Sequence, residues 1–161
     1  MNTKQLWFAL STNKITNNYF DGIFPKDTLN NIVNKPSLII CNTDNSYEPG
    51  EHWILFFFEN DICEFYDSLG KDVLSYGETF YKFAQKFATK IRQAEVRTQP
   101  INTPCCGELC LFFAYMRCKG YCMGQILEAL LKPYAAIEFV KKKFNICHKS
   151  SCILLQCCKC K

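Results

Sequence analysis

Between His52 and Phe58 the chain reads HWILFFF, and Leu55, Phe56, Phe57 and Phe58 follow one another with no polar residue between them. A strand with one face in water alternates polar and apolar side chains, so an unbroken apolar strand needs cover on both faces and a central place in its sheet. Any fold for this chain must pack something above and below residues 55–58. Two more runs extend the sheet, SLIICN (37–42) and ICEFYD (62–67), and the turn-forming stretch NTDNSYEPGE joins the first to the central one. The runs at 52–58 and 62–67 are expected to pair as a hairpin.

Helical periodicity supplies the cover. Residues 75–93 carry Tyr76, Phe80, Phe83, Phe87 and Ile91 at spacings of three and four, with Lys82, Gln85, Lys86 and Lys90 between them, which predicts an amphipathic helix on one face of the sheet. Shorter helices are expected at 2–10 and at 26–34, where Leu29, Ile32 and Val33 form a narrow stripe. AEVRT (94–98) reads as a further strand. From Cys106 onward Leu109, Leu111, Phe112, Phe113 and Met116 make a helix apolar nearly all round, expected to be buried and closed by Gly120. Another helix from about 124 is interrupted at Pro133, and a last one is expected from Ala135 to Phe144 with Lys141 to Lys143 exposed. The class is α+β, a mixed central sheet with helices on both sides.

A length of 161 residues fits one domain, and 48% hydrophobic residues exclude a disordered chain. The net charge of +4 falls short of a basic nucleic-acid footprint and supports weak attraction to DNA at most. Twelve cysteines would suit a secreted disulfide scaffold, but MNTKQLWFAL offers only about five apolar residues before polar STNKITNN, too few for a signal-peptide core or a membrane span. The expectation is an intracellular protein, not secreted, with reduced thiols and no membrane segment. The folded domain is expected over 1–146 and a Cys-rich tail over 147–161. In that tail Cys147, His148, Cys152, Cys157, Cys158 and Cys160 match no paired CxxC zinc spacing, so no metal site is assigned.

The chemistry-bearing stretch is QPINTPCCGELCLFF (99–113). Pro100 and Pro104 hold a loop and Gly107 onward is helical, which puts Cys106 at a helix start. Peptide dipoles and unpaired N–H groups there favour negative charge, so Cys106 has a local reason to be thiolate-like. Gln99, seven residues earlier, can present an amide N–H to an oxygen that gains charge when a carbonyl is attacked. The two histidines are His52 and His148, and hairpin pairing brings His52 beside Asp67. Each residue has a plainer reading. Cys106 and its neighbour Cys105 are of a type often simply buried, His52 can bond the turn, Asp67 can cap the turn at Ser68 to Gly70, and Glu64 and Glu59 compete with Asp67 as the acid. Cys106 is preferred to Cys105 because it precedes Gly107, where a substrate backbone can approach. Trp53 is expected to pack beside the imidazole, and Cys110 and Cys118 to serve packing.

Four segments, YFDGIFP (19–25), LIICNTDNSYEPGEHWILFFF (38–58), CEFYDSLG (63–70) and QPINTPCCGELC (99–110), stand in an order and approximate spacing that resemble the adenovirus-type cysteine proteases (adenain), including relatives encoded by large DNA transposons and other DNA viruses, and more distantly the SUMO-specific proteases. The resemblance implies an adenain-like cysteine protease fold over 1–146, with a buried helix carrying the nucleophile at its N-terminus. It implies Cys106 as nucleophile, His52 as base, Asp67 as the third member and Gln99 in the oxyanion hole. Adenoviral enzymes carry Glu where this chain has Asp67, whereas the SUMO-protease branch carries Asp. The family also implies an endopeptidase that cleaves viral or mobile-element structural precursors after Gly or small residues, in the host nucleus or virion, with DNA as an activator and Lys141 to Lys143 as a remnant DNA surface. Adenoviral relatives are further activated by a peptide disulfide-bonded to a cysteine eleven positions before the glutamine. That position is Ala88 here, so peptide activation is not expected to transfer. A monomer is expected.

Two rivals remain at this stage. One keeps the chemistry and removes ubiquitin-like tags, as a deubiquitinase or deSUMOylase-like isopeptidase, though 161 residues leave little sequence for a tag-docking surface. The other is a non-enzymatic module in which the tail binds zinc and the lysines bind nucleic acid.

Overall fold

A computed structural model of the chain describes residues 1–31 and 33–146. Five strands, β1 (Phe20–Phe24), β2 (Ser37–Asn42), β3 (Trp53–Glu59), β4 (Ile62–Asp67) and β5 (Lys90–Gln93), form one sheet in the order β1-β2-β3-β4-β5. The β2–β3 and β3–β4 pairs are antiparallel, and the outer pairs are parallel. The sheet is therefore mixed, with the apolar run of 55–58 on its middle strand. Among the described residues five α-helices accompany it: α1 (Thr3–Thr12), α2 (Glu78–Phe87), α3 (Cys106–Cys118), α4 (Met123–Leu130) and α5 (Pro133–Lys143).

Side chains alternate across the sheet, and each set meets its own layer. Leu38, Ile40, Leu55, Phe57 and Tyr66 pack against residues of α1, α3, α4 and α5. On the other face Ile39, Cys41, Ile54, Phe56, Phe58, Cys63 and Phe65 pack under α2, whose Phe83 meets Phe56 and Phe58 edge-on. Eleven of the thirteen residues of α3 are buried, as a helix apolar all round requires. Gly120, at φ +94, lets the chain turn away from it. The Phe113 ring stacks on Tyr66 at 4.4 Å and ties α3 to β4.

Several expected elements differ. Among the described residues of 26–34 there is only a short 3-10 turn (Lys26–Thr28), since Lys26 N–H bonds the Asp44 carbonyl and Asp27 holds Ser46, which anchors the segment to the neighbouring loop. Leu29 and Val33 still join the α2-side core, and Ile32 lies outside the described residues. The helix expected over 75–93 is only Glu78–Phe87: a 3-10 turn (Val73–Tyr76) and Gly77 at φ +97 precede it, and Ala88 is extended. Ile91 lies on β5, which pairs with β4, so the edge strand is Lys90–Gln93 and not 94–98. Helix α5 starts at Pro133 itself, in the first-turn position where a missing N–H costs nothing. The tail 147–161 lies outside the described residues.

Candidate active site

The β3–β4 register pairs Ile54 with Asp67, and His52, two residues before Ile54, points to the same side. His52 Nε2 stands 2.6 Å from Asp67 Oδ1. The Asp67 carboxylate, fully buried, also accepts from Leu69 N–H (2.9 Å), Lys71 N–H (2.9 Å) and the Tyr76 hydroxyl (2.9 Å). Burial alone would raise its pKa. The bond from His52 and those backbone donors outweigh it and hold the group below the usual carboxylate range. Asp67 thus caps the turn and engages the histidine at once.

Helix α3 brings Cys106 to the same place as its first residue. The groups that act on the Cys106 thiol are His52 and the backbone N–H of Trp53. Because Asp67 takes Nε2, Nδ1 is the ring nitrogen left for the sulfur. Burial pushes the thiol pKa up, but the His52 bond and charge and the Trp53 N–H bring it below the ordinary cysteine value. Burial likewise opposes charge on His52, whereas its bonds to Asp67 and Cys106 and their negative charges raise its pKa to about 9. Both shifts favour the imidazolium–thiolate form of the pair. Cys105 behaves oppositely: burial raises its thiol, which bonds Thr103 Oγ1 at 3.1 Å.

The other acids are engaged elsewhere. Arg117 donates from Nε to Glu64 (2.7 Å) and from a terminal nitrogen to Glu59 (2.7 Å). Gln99 reaches the site's edge: its Oε1 accepts from Ser68 Oγ at 2.7 Å, and its Nε2 donates to the Thr103 carbonyl. A hydroxyl donor at one end and a carbonyl at the other admit a single orientation of the amide. That orientation leaves a second Nε2 hydrogen outside those two bonds.

Two local expectations fail. The ring on His52 is Tyr76, stacked at 5.9 Å and 24°, while Trp53 donates Nε1–H to the Met1 carbonyl. Gly107 is not open to an approaching backbone, since a Cβ there would lie 2.9 Å from Met1 Cβ and 3.3 Å from Trp53 Cδ1. Sequence reasoning also missed Tyr76 and Ser68 at the site. The DS pair at 67–68 was a local signal for Ser68; Tyr76 was hidden inside the helical stripe.

Two grooves are lined by residues adjacent to the cluster, Trp53 in one and Gln99 in the other. One of about 360 Å³ is bounded by Met1, Asn42, Gly50 and Trp53. The other, about 610 Å³, runs from Gln99 and Ile101 to Leu131 and Tyr134. Among the described residues no group of three His, Cys, Asp or Glu side chains is placed to hold a metal, and no helix is long and apolar enough to cross a membrane.

The mixed sheet and its two helical layers make a fold that a known protease shares. That structure is the ASFV pS273R protease, matched with a TM-score of 0.52 and 15% identity over 86% of this chain and 62% of that one. Its selenomethionine crystal structure gives a TM-score of 0.48 and 22% identity over 71% of this chain and 47% of that one. The chain thus spans about half to three-fifths of the length of those structures. No family model and no curated protein matches the chain.

Proposed function

We propose that this chain is a cysteine endopeptidase in which Cys106 is the nucleophile, His52 the base and acid, Asp67 the residue that orients it, and Gln99 an oxyanion donor. One observation carries the reading: a single imidazole is held at one nitrogen, 2.6 Å away, by a fully buried carboxylate, and the same imidazole acts on a helix-head thiol whose pKa is lowered. The fold shared with the ASFV pS273R protease supports it. The reaction starts from the form of the pair that carries its proton on the imidazole. The thiolate attacks a peptide carbonyl and forms the S–C bond, while the oxyanion accepts from the second Gln99 Nε2 hydrogen and the Cys106 backbone N–H. The imidazolium then gives its proton to the leaving amine as the C–N bond breaks. His52 next takes a proton from water, whose oxygen attacks the thioester, and the thiolate departs to leave a carboxylic acid.

The resemblance to adenain-type enzymes adds a substrate: viral or mobile-element structural precursors cleaved after Gly or another small residue, with DNA as an activator. The reading is tested with Gly-containing peptides and with ubiquitin-like conjugates, each with and without duplex DNA. Cleavage of peptides that is abolished by Cys106→Ala with the far-ultraviolet spectrum retained is the expected result. Cleavage retained in that variant overturns the nucleophile; preference for the conjugates moves the substrate to tags.

A further inference from the structure

Three large apolar side chains, Ile101, Leu131 and Tyr134, are 75%, 68% and 67% exposed, and all three line the one groove of about 610 Å³ that begins at Gln99. Single exposed apolar residues are ordinary, but three converging in one concavity beside a reactive centre mark a contact surface. The groove's charge has one sign. Arg97 and Lys132 line it and no acidic residue does, with Arg97 held in place by its Nε–H bond to the Gln99 carbonyl at 3.0 Å. Helix α5 begins at Pro133, so the Leu131–Tyr134 wall is fixed by a helix start and not by a free loop.

We propose that this groove binds the substrate polypeptide on the Gln99 side of the scissile bond, and that it selects a bulky apolar side chain next to acidic residues. The inference rests on the protease reading, since the groove matters only if a chain lies across Cys106. Continuity with Gln99 argues for substrate, because a chain whose carbonyl oxygen reaches that amide lies at the mouth of the groove that Gln99 itself lines. Charge argues against the chain's own tail. Residues 147–161 carry Lys149, Lys159 and Lys161 and no Asp or Glu, so Arg97 and Lys132 would repel them.

The experiment is cleavage of a position-scanned library of quenched peptides by the full chain, with iodoacetamide labelling of Cys106 as an independent check of the site. Wild type is expected to favour Leu or Phe beside Asp or Glu on one flank only. Lys132→Glu leaves Arg97 opposed by an acid and removes that preference, lowering cleavage of acid-bearing relative to lysine-bearing peptides by about threefold to fivefold. Leu131→Ser with Tyr134→Ser raises KM about tenfold at unchanged kcat. Labelling of Cys106 stays at the wild-type rate in both variants. Unchanged charge preference in Lys132→Glu overturns the groove while leaving the protease reading intact. A wild type that labels fast but cleaves no peptide overturns both. A fall in KM on truncation after Ile146 assigns the groove to the tail, and a dimer in sedimentation that Leu131→Ser dissolves assigns it to a second copy; either result refutes the proposal.

Discussion

Asp67 accepts hydrogen bonds from His52, two backbone N–H groups and the Tyr76 hydroxyl, and a buried carboxylate with that many donors stays ionised where burial alone would neutralise it. Its charge is a main reason that His52 holds a proton to about pH 9. Asp67→Asn removes that charge. Burial then dominates at His52, whose pKa falls, and the thiolate loses its cationic partner, so the Cys106 pKa rises. The expected result is that the acid limb of Cys106 alkylation moves to higher pH, while the alkaline limb of peptide cleavage, near pH 9 in wild type, moves down. An alkylation profile unmoved by the substitution would detach Asp67 from the thiol. Ser68, next along the chain, holds Gln99 Oε1 and so fixes which end of the amide faces outward. Gln99→Ala is expected to lower kcat about a hundredfold and Ser68→Ala about tenfold, with Cys106 alkylation unchanged. Ser68→Ala made in the Gln99→Ala background should cost nothing further, and Ser68→Thr should restore most of kcat. A full additional loss in the double variant would show that Ser68 acts by another route. The places of Cys106, His52, Asp67 and Gln99 in the fold were readable because each sits beside a local cue: a helix start, a strand start, a turn and a proline loop. Tyr76 was not, since its bond to Asp67 arises only when the turn after β4 folds back.

At the scale of elements, what could be read followed from patterns that tertiary contacts do not overrule. The strand at 53–59 is apolar at every inner position and can sit only in the middle of a covered sheet. The phenylalanines at 80, 83 and 87 form a true helical stripe, but Ile91 continued that spacing by coincidence and belongs to a strand held by parallel pairing with β4. Intrinsic periodicity carried no information about that pairing. Arg117 shows the same limit: its guanidinium lies 4.4 Å over the Phe57 ring and clamps the end of α3 to β3 and β4 through Glu59 and Glu64. Glu64 is 5% exposed, so removing its partner leaves a buried charge unpaired. Arg117→Met is expected to destabilise the fold by about 3 kcal/mol, measured by urea unfolding. Glu64→Gln in the same chain should recover more than half of the loss. Equal loss in single and double variants would place Arg117's contribution in packing on Phe57 instead of charge.

For the molecule as a whole, the cluster is assembled from parts far apart along the chain: the β3–β4 hairpin supplies His52 and Asp67, and α3, some forty residues later, supplies Cys106. None of these segments holds the thiolate alone, and the sheet between the two helical layers is what aligns them. Three other thiols report the opposite condition. Cys41, Cys63 and Cys110 are fully buried, and burial pushes each of them well above the ordinary thiol value. In the unfolded chain all four revert to ordinary exposed cysteines. Iodoacetamide labelling at pH 6 across a urea series, read by peptide mapping, should therefore show two opposite changes. Cys106 is fast in the folded protein and slows, whereas Cys41, Cys63 and Cys110 are blocked and become accessible. Because one sheet carries both the site and the core, the two curves should share a midpoint with the loss of ellipticity. Loss of Cys106 reactivity at clearly lower urea would mean that the hairpin and the head of α3 separate before the core opens, and that the site is held by local contacts weaker than the fold around it.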